Sequence, residues 1–370
     1  MLVVKADAYG HGAVAVAHHA VRLGVAALGV GTSAEALELR ASGLRLPILV
    51  LGTIVDEEAE STLRHGIEVG LHSADRARML EELARRMGRR ARVHLNIDTG
   101  MGRLGVLPER ALDLLQAIDA AEHLELAGLM THISSSRGAC DAETERQMRA
   151  FEGVRAAACA RGIPCGWIHA ANSAAIFTDL APRYDTVRPG ISAYGIMPGQ
   201  LSGSAALRPA MSLRTQVVFL KDLPAGAPVG YDSTWTAARA TRIATLPLGY
   251  NDGVAWRLGN RGEVLVRGQR APIVGRVSMD YTTIDVGGIR DVAVGDDVLL
   301  FGTDGEHTLD VEEVARRAET IPYEITCSVG KRVPRVYVGG EDVILVPAVP
   351  PAASASMPGH VDSVPLVRKR

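Results

Sequence analysis

The amino-acid sequence predicts an α/β protein in which a parallel (β/α)8 barrel is followed by a mainly antiparallel β domain. Short apolar runs alternate with amphipathic segments over roughly the first 190 residues. From about Pro198 onward, β-like runs follow one another directly and are separated by clusters of Gly and Asp. The 370 residues are also long for a single core. We therefore expect a barrel over residues 1–197, a β domain over 198–345 and a disordered tail over 346–370.

The predicted barrel consists of apolar runs of strand length, most of them separated by amphipathic helical segments. Parallel neighbouring strands need a crossover connection, and a helix usually supplies it. A doubly wound sheet is the alternative, but it would show fewer strands and one Gly-rich fingerprint near its start. The eight predicted strands are residues 2–4, 26–30, 47–51, 67–71, 93–97, 124–130, 167–170 and 186–191. The predicted helices are residues 13–23, 33–41, 73–86, 108–121 and 142–160.

The second predicted domain contains short strands with turn residues between them and a single helix. That helix covers residues 310–318, and Asp310 is suited to its N-cap. The tail beyond it is rich in Pro, Ala and Ser, lacks periodicity and is predicted to be disordered. The predicted strands are residues 215–220, 242–247, 262–266, 272–277, 282–286 and 297–301.

Composition narrows the class of function. The formal net charge is −2, from 40 basic and 42 acidic residues, so nothing favours nucleic acid or an anionic membrane as a partner. No apolar run is long enough to span a bilayer, and the N-terminus lacks the pattern of a secretory signal. The four cysteines form no CxxC pair, so we expect neither a disulfide framework nor a metal site. We infer a reducing, cytoplasmic location.

The most informative segment is VVKADAYGHG, residues 3–12, which places Lys5 at the end of a buried strand. Taken alone, Lys5 is best explained as a strand-end lysine whose stem covers apolar surface. In a barrel, however, the carboxyl ends of the strands face the active site. A desolvated lysine there has a lowered pKa and forms a Schiff base readily. Tyr9 follows, and its hydroxyl is placed to meet an anion.

A second segment, DTGMGRLG over residues 98–105, follows the predicted strand 93–97 at the same rim. Its three glycines let the backbone approach a ligand closely. Arg103 can bind a carboxylate or a phenolate with its forked guanidinium. A glycine-rich loop with a surface arginine explains this segment about equally well.

Further polar side chains stand at the ends of other predicted barrel strands: His132, His169, Ser173 and Arg188. Each of them alone is a weak signal, because a strand-end His or Arg is commonly structural. Together with Lys5 and Arg103 they would surround one rim, which is the pattern of an active site. The backbone N–H groups of Gly190 and Ile191 and the hydroxyls of Ser173 and Tyr9 would suit a phosphate.

The ordered set of motifs resembles that of bacterial alanine racemases, over about residues 2–337. The motifs are VVKADAYGHG, DTGMGRLG, HAANSAA, RPGISAYG, GYDSTW, GYNDG and GRVSMD. The first two together are highly specific, whereas GYNDG alone would mean little. The resemblance implies a barrel that binds pyridoxal 5′-phosphate (PLP) and a homodimer with shared active sites. It also implies that the enzyme interconverts L-alanine and D-alanine in the cytoplasm and supplies D-alanine for peptidoglycan.

The resemblance also implies roles for individual residues. Lys5 would bind PLP covalently and act as one catalytic base, and Tyr231 of the partner subunit would be the other. Arg188 would face the pyridine nitrogen, and Arg103 would contact the phenolate and the substrate carboxylate. The phosphate ligands would be Tyr9, Ser173, Gly190, Ile191 and Tyr323. The backbone of Met279 would bind the substrate carboxylate, and Tyr250 would lie at the entryway. The histidines His132 and His169 would hold Tyr231 and Arg188 in one hydrogen-bonded network.

These implied roles agree with elementary chemistry. Racemisation removes a proton from one face of the α-carbon and returns one to the other, so a base on each face avoids turning the substrate over. Tyrosine has a pKa near about 10, so Tyr231 needs a hydrogen-bonded His or a nearby cation to act at neutral pH. Arg188 keeps its proton and would leave the pyridine nitrogen largely unprotonated, which limits side reactions such as transamination.

The sequence departs from the family pattern in two places. Lys5 stands four residues after Met1, whereas relatives usually carry a further strand and helix before it, so we expect natural residues upstream of this start. Asn96 stands where many relatives have a carbamylated lysine that orients the arginine equated with Arg103. We therefore expect a chloride ion near Asn96 and Arg103.

Three alternatives remain in view. A PLP-dependent basic amino-acid decarboxylase usually has an acid at the pyridine nitrogen and a catalytic cysteine, so Arg188 and GYDSTW argue against it. A non-catalytic PLP carrier is typically a lone barrel, so the β domain argues against it. A racemase for another small amino acid, such as serine, stays open, because an added hydroxyl changes binding only modestly in such pockets.

Overall fold

The computed structural model describes residues 1–134, 142–178, 184–199, 207–339 and 342–346. Within the first 170 residues, seven parallel strands follow one another in sequence order in a single sheet. Their central residues are almost wholly buried, as expected for strands covered on both faces. They are β1 (Leu2–Val3), β2 (Leu28–Val30), β3 (Ile48–Val50), β4 (Glu68–Leu71), β5 (Ala91–Ile97), β6 (Leu124–Thr131) and β7 (Trp167–His169).

The eighth barrel strand predicted at 186–191 is not formed as a strand. The segment nevertheless lies between the two edges of the sheet, because Thr186 N–H donates to Ile168 and Val3 N–H donates to Pro189. The N-terminal ammonium also donates to the Val187 carbonyl, at 3.0 Å. Pro189 has no N–H and interrupts the hydrogen bonding between strands, so an irregular segment closes the barrel between β7 and β1. A 3-10 helix, Ile191–Tyr194, follows it.

Several helices between the strands begin at a start signal in the sequence. Thr32 and Glu35 form a capping box at the start of Ser33–Ala41, and Pro108 occupies the first turn of Pro108–Asp119. The helix Asp56–Arg64 was not predicted. The helices of this half are α1 (Ala13–Arg22), α2 (Ser33–Ala41), α3 (Asp56–Arg64), α4 (Ala74–Arg86), α5 (Pro108–Asp119), α6 (Ala142–Ala160) and α7 (Ser173–Ile176).

Antiparallel strands make up the second half, in a three-stranded sheet, a five-stranded sheet and a two-stranded ribbon. The strands are β8 (Leu213–Gln216), β9 (Phe219–Leu223), β10 (Pro228–Val229), β11 (Trp235–Thr236), β12 (Thr241–Leu246), β13 (Glu263–Val266), β14 (Gln269–Pro272), β15 (Thr282–Asp285), β16 (Asp297–Asp304) and β17 (His307–Leu309). The three-stranded sheet has the order β15, β12, β9, and the five-stranded sheet has the order β14, β13, β16, β17, with β8 also paired to β16.

Two strand predictions in this half were wrong. The single strand predicted at 215–220 is two strands, because the chain changes sheets at Val217, whose N–H donates to Asp296, and Val218, whose N–H donates to Thr245. The strand predicted at 272–277 lies earlier, at Gln269–Pro272, after a tight turn in which Arg267 and Gly268 both have positive φ.

Two helices accompany these sheets, α8 (Val311–Arg317) and α9 (Pro322–Cys327). Asp310 occupies the N-cap position of α8, although its side chain makes no capping hydrogen bond. The helix α9 was not predicted. From Lys331 the chain forms a separate unit, in which β18 (Arg335–Gly339) and β19 (Asp342–Val346) pair antiparallel. Apart from Val346, the predicted disordered tail lies outside the described residues.

No helix in the described ranges is both long and apolar enough to cross a membrane.

Candidate active site

Lys5 begins a left-handed helical turn, Lys5–Tyr9, directly after β1. Ala6, Asp7, Ala8 and Tyr9 have φ between 52° and 54°, a conformation that costs about 1–2 kcal/mol per residue for L-amino acids. We call this segment the lysine turn. The Glu35 carboxylate holds its start by accepting from the Ala6 N–H, at 2.7 Å. Such strain persists only where the surroundings impose it, and it is concentrated at functional sites.

Aromatic rings pack around the far end of the lysine turn. The centroid of the Tyr9 ring lies 5.2 Å from that of Tyr194 and 6.0 Å from that of Tyr323, which is carried by α9. His11 stacks on Tyr194, at 4.5 Å between centroids. Burial raises the pKa of Tyr9, and the neighbouring Tyr323 raises it further, so the Tyr9 hydroxyl keeps its proton. It is therefore available as a hydrogen-bond donor.

The Tyr9 hydroxyl lies against the backbone of Gly190. A β-carbon on Gly190 would stand only 2.4 Å from Tyr9 Oη, so only glycine leaves room for this approach. The Ser173 hydroxyl accepts from the Gly190 N–H at 2.8 Å and from the Ser192 N–H at 3.4 Å. Two hydroxyls and the backbone N–H groups of Gly190 and Ser192 thus lie close together, a group of donors that suits a phosphate.

Arg188 is buried beneath this region and is 4% exposed. Its Nη1 donates to His169 Nδ1 at 2.8 Å and to the His169 carbonyl at 2.7 Å. Its Nη2 donates to the carbonyls of Thr131, at 2.6 Å, and Ala170, at 3.1 Å. Among the described residues, no hydrogen bond uses its Nε. Burial lowers the pKa of Arg188 to about 10, so the guanidinium is still charged at neutral pH.

The network does not stop at His169. His169 Nε2 lies 2.8 Å from His94 Nδ1, and His94 Nε2 lies 2.8 Å from the Glu68 carboxylate. Glu68 also accepts from Arg92 Nε at 2.8 Å. Arg188 is thereby linked to a carboxylate in the barrel interior through two histidines.

Lys5, Arg103, His132 and Arg188 share one electrostatic environment. Burial lowers the pKa of His132 to about 3, and the charges of Arg188, Arg103 and Lys5 each contribute. Part of the Lys5 side chain is open to solvent, yet desolvation is the largest cause that lowers its pKa, and Arg103 lowers it further. Glu35 opposes this shift. A lysine with a lowered pKa beside a neutral histidine and two arginines suits covalent chemistry on an anionic ligand.

Arg103 lies in a loop whose backbone is stabilised by hydrogen bonds to the side chains of Asp98 and Asn96. One oxygen of Asp98 accepts from the N–H groups of Gly100, at 3.1 Å, and Gly102, at 3.0 Å. The buried Asn96 donates to the Leu104 carbonyl at 3.0 Å. Asn96 therefore fixes the backbone directly after Arg103.

The chain does not bring three of the predicted residues into this site. Tyr231 is 71% exposed, Met279 is 54% exposed and Tyr250 is 45% exposed. No hydrogen bond or ring contact within the described ranges joins Tyr231 to His132 or Lys5. Tyr250 and Met279 lie on adjacent backbone segments, since the Tyr250 N–H donates to Ser278 and the Asn251 N–H donates to Met279.

Three polar residues around the site were missed by sequence reasoning: Glu35, Glu68 and His94. A signal existed for two of them, since Glu68 and His94 interrupt apolar strand runs, and buried polar groups need partners. Nothing in the sequence paired them with each other. The described residues contain no group of three or more His, Cys, Asp or Glu side chains able to hold a metal ion.

Two family models together match most of the chain. The model of the alanine racemase N-terminal domain matches residues 1–198, and that of the alanine racemase C-terminal domain matches residues 210–337. The chain belongs to the alanine racemase family. It is an enzyme of that family, with the family's barrel and antiparallel β domain.

Individual alanine racemases match over nearly their full length. The alanine racemase of Geobacter sulfurreducens is 43% identical over 344 residues, which cover 91% of this chain and 90% of that protein. The alanine racemase of Symbiobacterium thermophilum is 42% identical over 342 residues, which cover 92% of this chain and 90% of that protein.

Solved structures of alanine racemases agree in fold. That of Clostridium difficile 630 has a TM-score of 0.88 at 34% identity, covering 94% of this chain and 91% of that one. That of the Bacillus anthracis alanine racemase, solved with bound L-Ala-P, has a TM-score of 0.85 at 32% identity, covering 94% of this chain and 90% of that one.

Proposed function

We propose that this chain interconverts L-alanine and D-alanine, with PLP held at Lys5. The observation that carries the proposal is the grouping of Lys5 with Arg103, His132 and Arg188. Burial lowers the pKa of His132 to about 3, and the charges of Arg188, Arg103 and Lys5 lower it further. Lys5, Arg103 and His132 follow the carboxyl ends of barrel strands. The names of the relatives point to the same reaction.

The described side chains fit PLP as a cofactor. Tyr9, Ser173, Gly190, Ile191 and Tyr323 would bind the phosphate, and the close approach of Tyr9 Oη to Gly190 supports this assignment. Arg188 would present its Nε–H to the ring nitrogen, since its other nitrogens already donate to His169, Thr131 and Ala170. When bound, PLP withdraws electron density from the α-carbon of an attached amino acid and makes its proton acidic.

The protein's own groups would then manage the proton and the substrate. Once the substrate's amino group has displaced Lys5 from the cofactor, the freed Lys5 Nζ would take the α-proton on one face, which its lowered pKa favours near neutral pH. Tyr231 of a second copy returns a proton on the other face. Arg103 and the Met279 backbone hold the substrate carboxylate, and Tyr250 lies at the entrance. His132, neutral at a pKa of about 3, accepts or donates a hydrogen bond without adding charge.

Arg188 selects between reactions. At a pKa of about 10 it remains charged, and it donates a hydrogen bond without releasing a proton to the ring. The ring nitrogen thus carries less positive charge, which disfavours transamination. An acid at this position would favour the decarboxylase alternative.

We further propose a homodimer whose partner supplies Tyr231. Large aromatic side chains exposed on the β half support this, among them Tyr231 at 71% and Tyr281 at 53%. A site built from Lys5 of one chain would be completed by the β half of the other.

The product, D-alanine, would serve peptidoglycan synthesis. Deleting the chain's gene in a host without another racemase should make growth depend on added D-alanine, and growth without it would contradict this role.

Chloride beside Asn96 and Arg103 is also proposed. The Asn96 amide, which holds the Leu104 carbonyl, cannot carry the negative charge that a carbamylated lysine would. Replacing chloride by gluconate should raise KM for alanine. An unchanged KM across chloride concentrations would contradict the proposal.

The deciding experiment measures PLP absorbance and L-to-D conversion in the wild type and in Lys5→Ala. The wild type should show a visible absorbance band and racemise alanine, and Lys5→Ala should lose both. L-serine is the competing substrate, and conversion of serine without alanine would change the substrate assignment. A wild-type chain that binds no PLP would overturn the proposal.

A further inference from the structure

A buried chain of hydrogen bonds runs from Arg188 through His169 and His94 to Glu68. The links His169–His94 and His94–Glu68 are each 2.8 Å long. His94 and His169 are 0% exposed, and Glu68 is 4% exposed. Water cannot substitute for a missing partner at such depth, so each group depends on its neighbours.

Arg188 at one end and Glu68 at the other determine which atom donates in every hydrogen bond of this buried chain. Arginine only donates, so His169 Nδ1 must accept from Arg188. His169 then carries its proton on Nε2 and donates to His94 Nδ1. His94 in turn carries its proton on Nε2 and donates to Glu68, whose ionised carboxylate only accepts.

Glu68 is held ionised in the core. Burial would raise its pKa, but hydrogen bonds from His94 and Arg92 outweigh burial and lower it. Arg92 reaches Glu68 with its Nε and forms a separate ion pair with Glu125 through Nη1. Glu68 is thus a permanent acceptor at the end of the chain.

The neighbouring strand leaves space for this arrangement. A β-carbon on Gly128 of β6 would lie 2.3 Å from His94 Nδ1, the atom that accepts from His169. Gly128 pairs with His94 on one side and with Trp167 on the other. Any larger residue would displace the His94 ring from His169.

We propose that Glu68 is a positioning residue for the reaction, which acts through His94 and His169 to hold Arg188 in the orientation in which its Nε–H would face the ring nitrogen of the cofactor. The inference rests on the proposed PLP-dependent function. Glu68 touches neither cofactor nor substrate. Its effect is to select the histidine tautomers that leave Arg188 Nε as the free donor.

The variant Glu68→Gln tests this with little change of shape. Its amide has one acceptor oxygen, whereas Glu68 accepts from both Arg92 and His94. If the oxygen stays on Arg92, the NH2 group faces His94 and reverses both tautomers. His169 Nδ1–H would then oppose Arg188 Nη1–H, donor against donor. The matched control is Glu125→Gln, which removes the other carboxylate on Arg92 and leaves the buried chain intact.

The first measurement is the ring tautomer of His94 and His169, by nitrogen NMR of histidine-labelled protein, with and without PLP. Both should be protonated on Nε2 in the wild type and in Glu125→Gln, and should shift toward Nδ1 protonation in Glu68→Gln. Either histidine protonated on Nδ1 in the wild type would overturn the proposal, even if the variant does not fold. This result does not depend on activity, so it is separable from failure of the proposed function.

The second measurement is steady-state kinetics with alanine. Glu68→Gln should lower kcat by about tenfold or more, with little change in KM, and shift the visible spectrum of bound PLP. Glu125→Gln should change neither. A folded Glu68→Gln with reversed tautomers and wild-type kcat and spectrum would also overturn the proposal.

Discussion

The Glu35 carboxylate joins the start of a barrel helix to the residue after Lys5, by accepting from the Ala6 N–H at 2.7 Å. Its other oxygen accepts from the Gly31 N–H, at 2.7 Å, and from the Thr32 N–H, at 3.2 Å, and the bond from Thr32 is part of the capping box of Ser33–Ala41. The Glu35 side chain therefore binds both the loop that follows β2 and the start of the strained lysine turn. It also raises the pKa of Lys5 against the effect of burial.

Glu35→Gln should therefore weaken both fold and activity. The amide has one acceptor oxygen, so either the Ala6 N–H or the N–H groups of Gly31 and Thr32 lose their acceptor. We expect a loss of about 1 kcal/mol in the free energy of unfolding, measured by denaturant titration, and a lower kcat. The control is Glu38→Gln, an exposed position on the same helix. Equal effects at both positions would show that Glu35 has no special anchoring role.

Gly190→Ala should weaken PLP binding, because the added β-carbon would lie 2.4 Å from Tyr9 Oη. Removing that hydroxyl in the double variant with Tyr9→Phe relieves the clash, so the two effects should be less than additive. Binding is measured by titration of PLP absorbance. Simple additivity of the two free energies would argue that Tyr9 and Gly190 do not meet.

Gly153→Ala serves as the matched glycine control. Gly153 lies within Ala142–Ala160, and nothing stands within 4 Å of an added β-carbon. The substitution should leave PLP binding unchanged and raise the free energy of unfolding by about 0.5–1 kcal/mol, since alanine favours the helix.

The sequence predicts most of the barrel because helical periodicity and strand runs are local. The helices Ser33–Ala41 and Ala142–Ala160 have the predicted bounds. The prediction of an eighth strand at 186–191 was wrong because Pro189 has no N–H and interrupts strand hydrogen bonding inside the apolar run. Helix Pro322–Cys327, which carries Tyr323, is too short for its periodicity to be recognised.

The site residues that the sequence predicts are likewise those whose position can be inferred locally, and the ones it missed depend on contacts made by the fold. Lys5 and His169 stand next to or at strand ends, a position that the topology of a barrel makes meaningful. Glu68 and His94 lie on adjacent strands but 26 residues apart, and their contact depends on the barrel interior. The left-handed lysine turn was also beyond sequence reasoning, because Ala6 and Ala8 carry no preference for positive φ.

His132 should make the fold sensitive to acid. Its folded-state pKa of about 3 lies below its unfolded value, so between these values the unfolded chain binds a proton that the folded chain does not. The free energy of unfolding therefore falls as pH drops from about 6.5 toward 3, by up to about 1.4 kcal/mol per pH unit. His132→Asn, which does not titrate, should show a shallower slope over this range.

The slope is measured by denaturant unfolding at a series of pH values. His307→Asn, at an exposed position in the β half, is the control and should keep the wild-type slope. A His132→Asn slope equal to that of the wild type would contradict burial of an uncharged His132.

Mixing two inactive variants should restore activity if the active site is shared between chains. Lys5→Ala and Tyr231→Phe should each be inactive as homodimers. In the heterodimer, one site combines both substitutions, and the other combines Lys5 of one chain with Tyr231 of its partner, both intact. A heterodimer purified through two different tags should therefore regain about half of the wild-type activity.

The same experiment distinguishes the opposite arrangement. If each chain used its own Tyr231, every site of the heterodimer would carry one substitution and the mixture would stay inactive. Tyr281→Phe, which alters another exposed tyrosine of the β half, should be active as a homodimer and so exclude a general effect of losing an exposed hydroxyl. Because Tyr231 makes no contact with Lys5 within one described chain, we expect the heterodimer to be active.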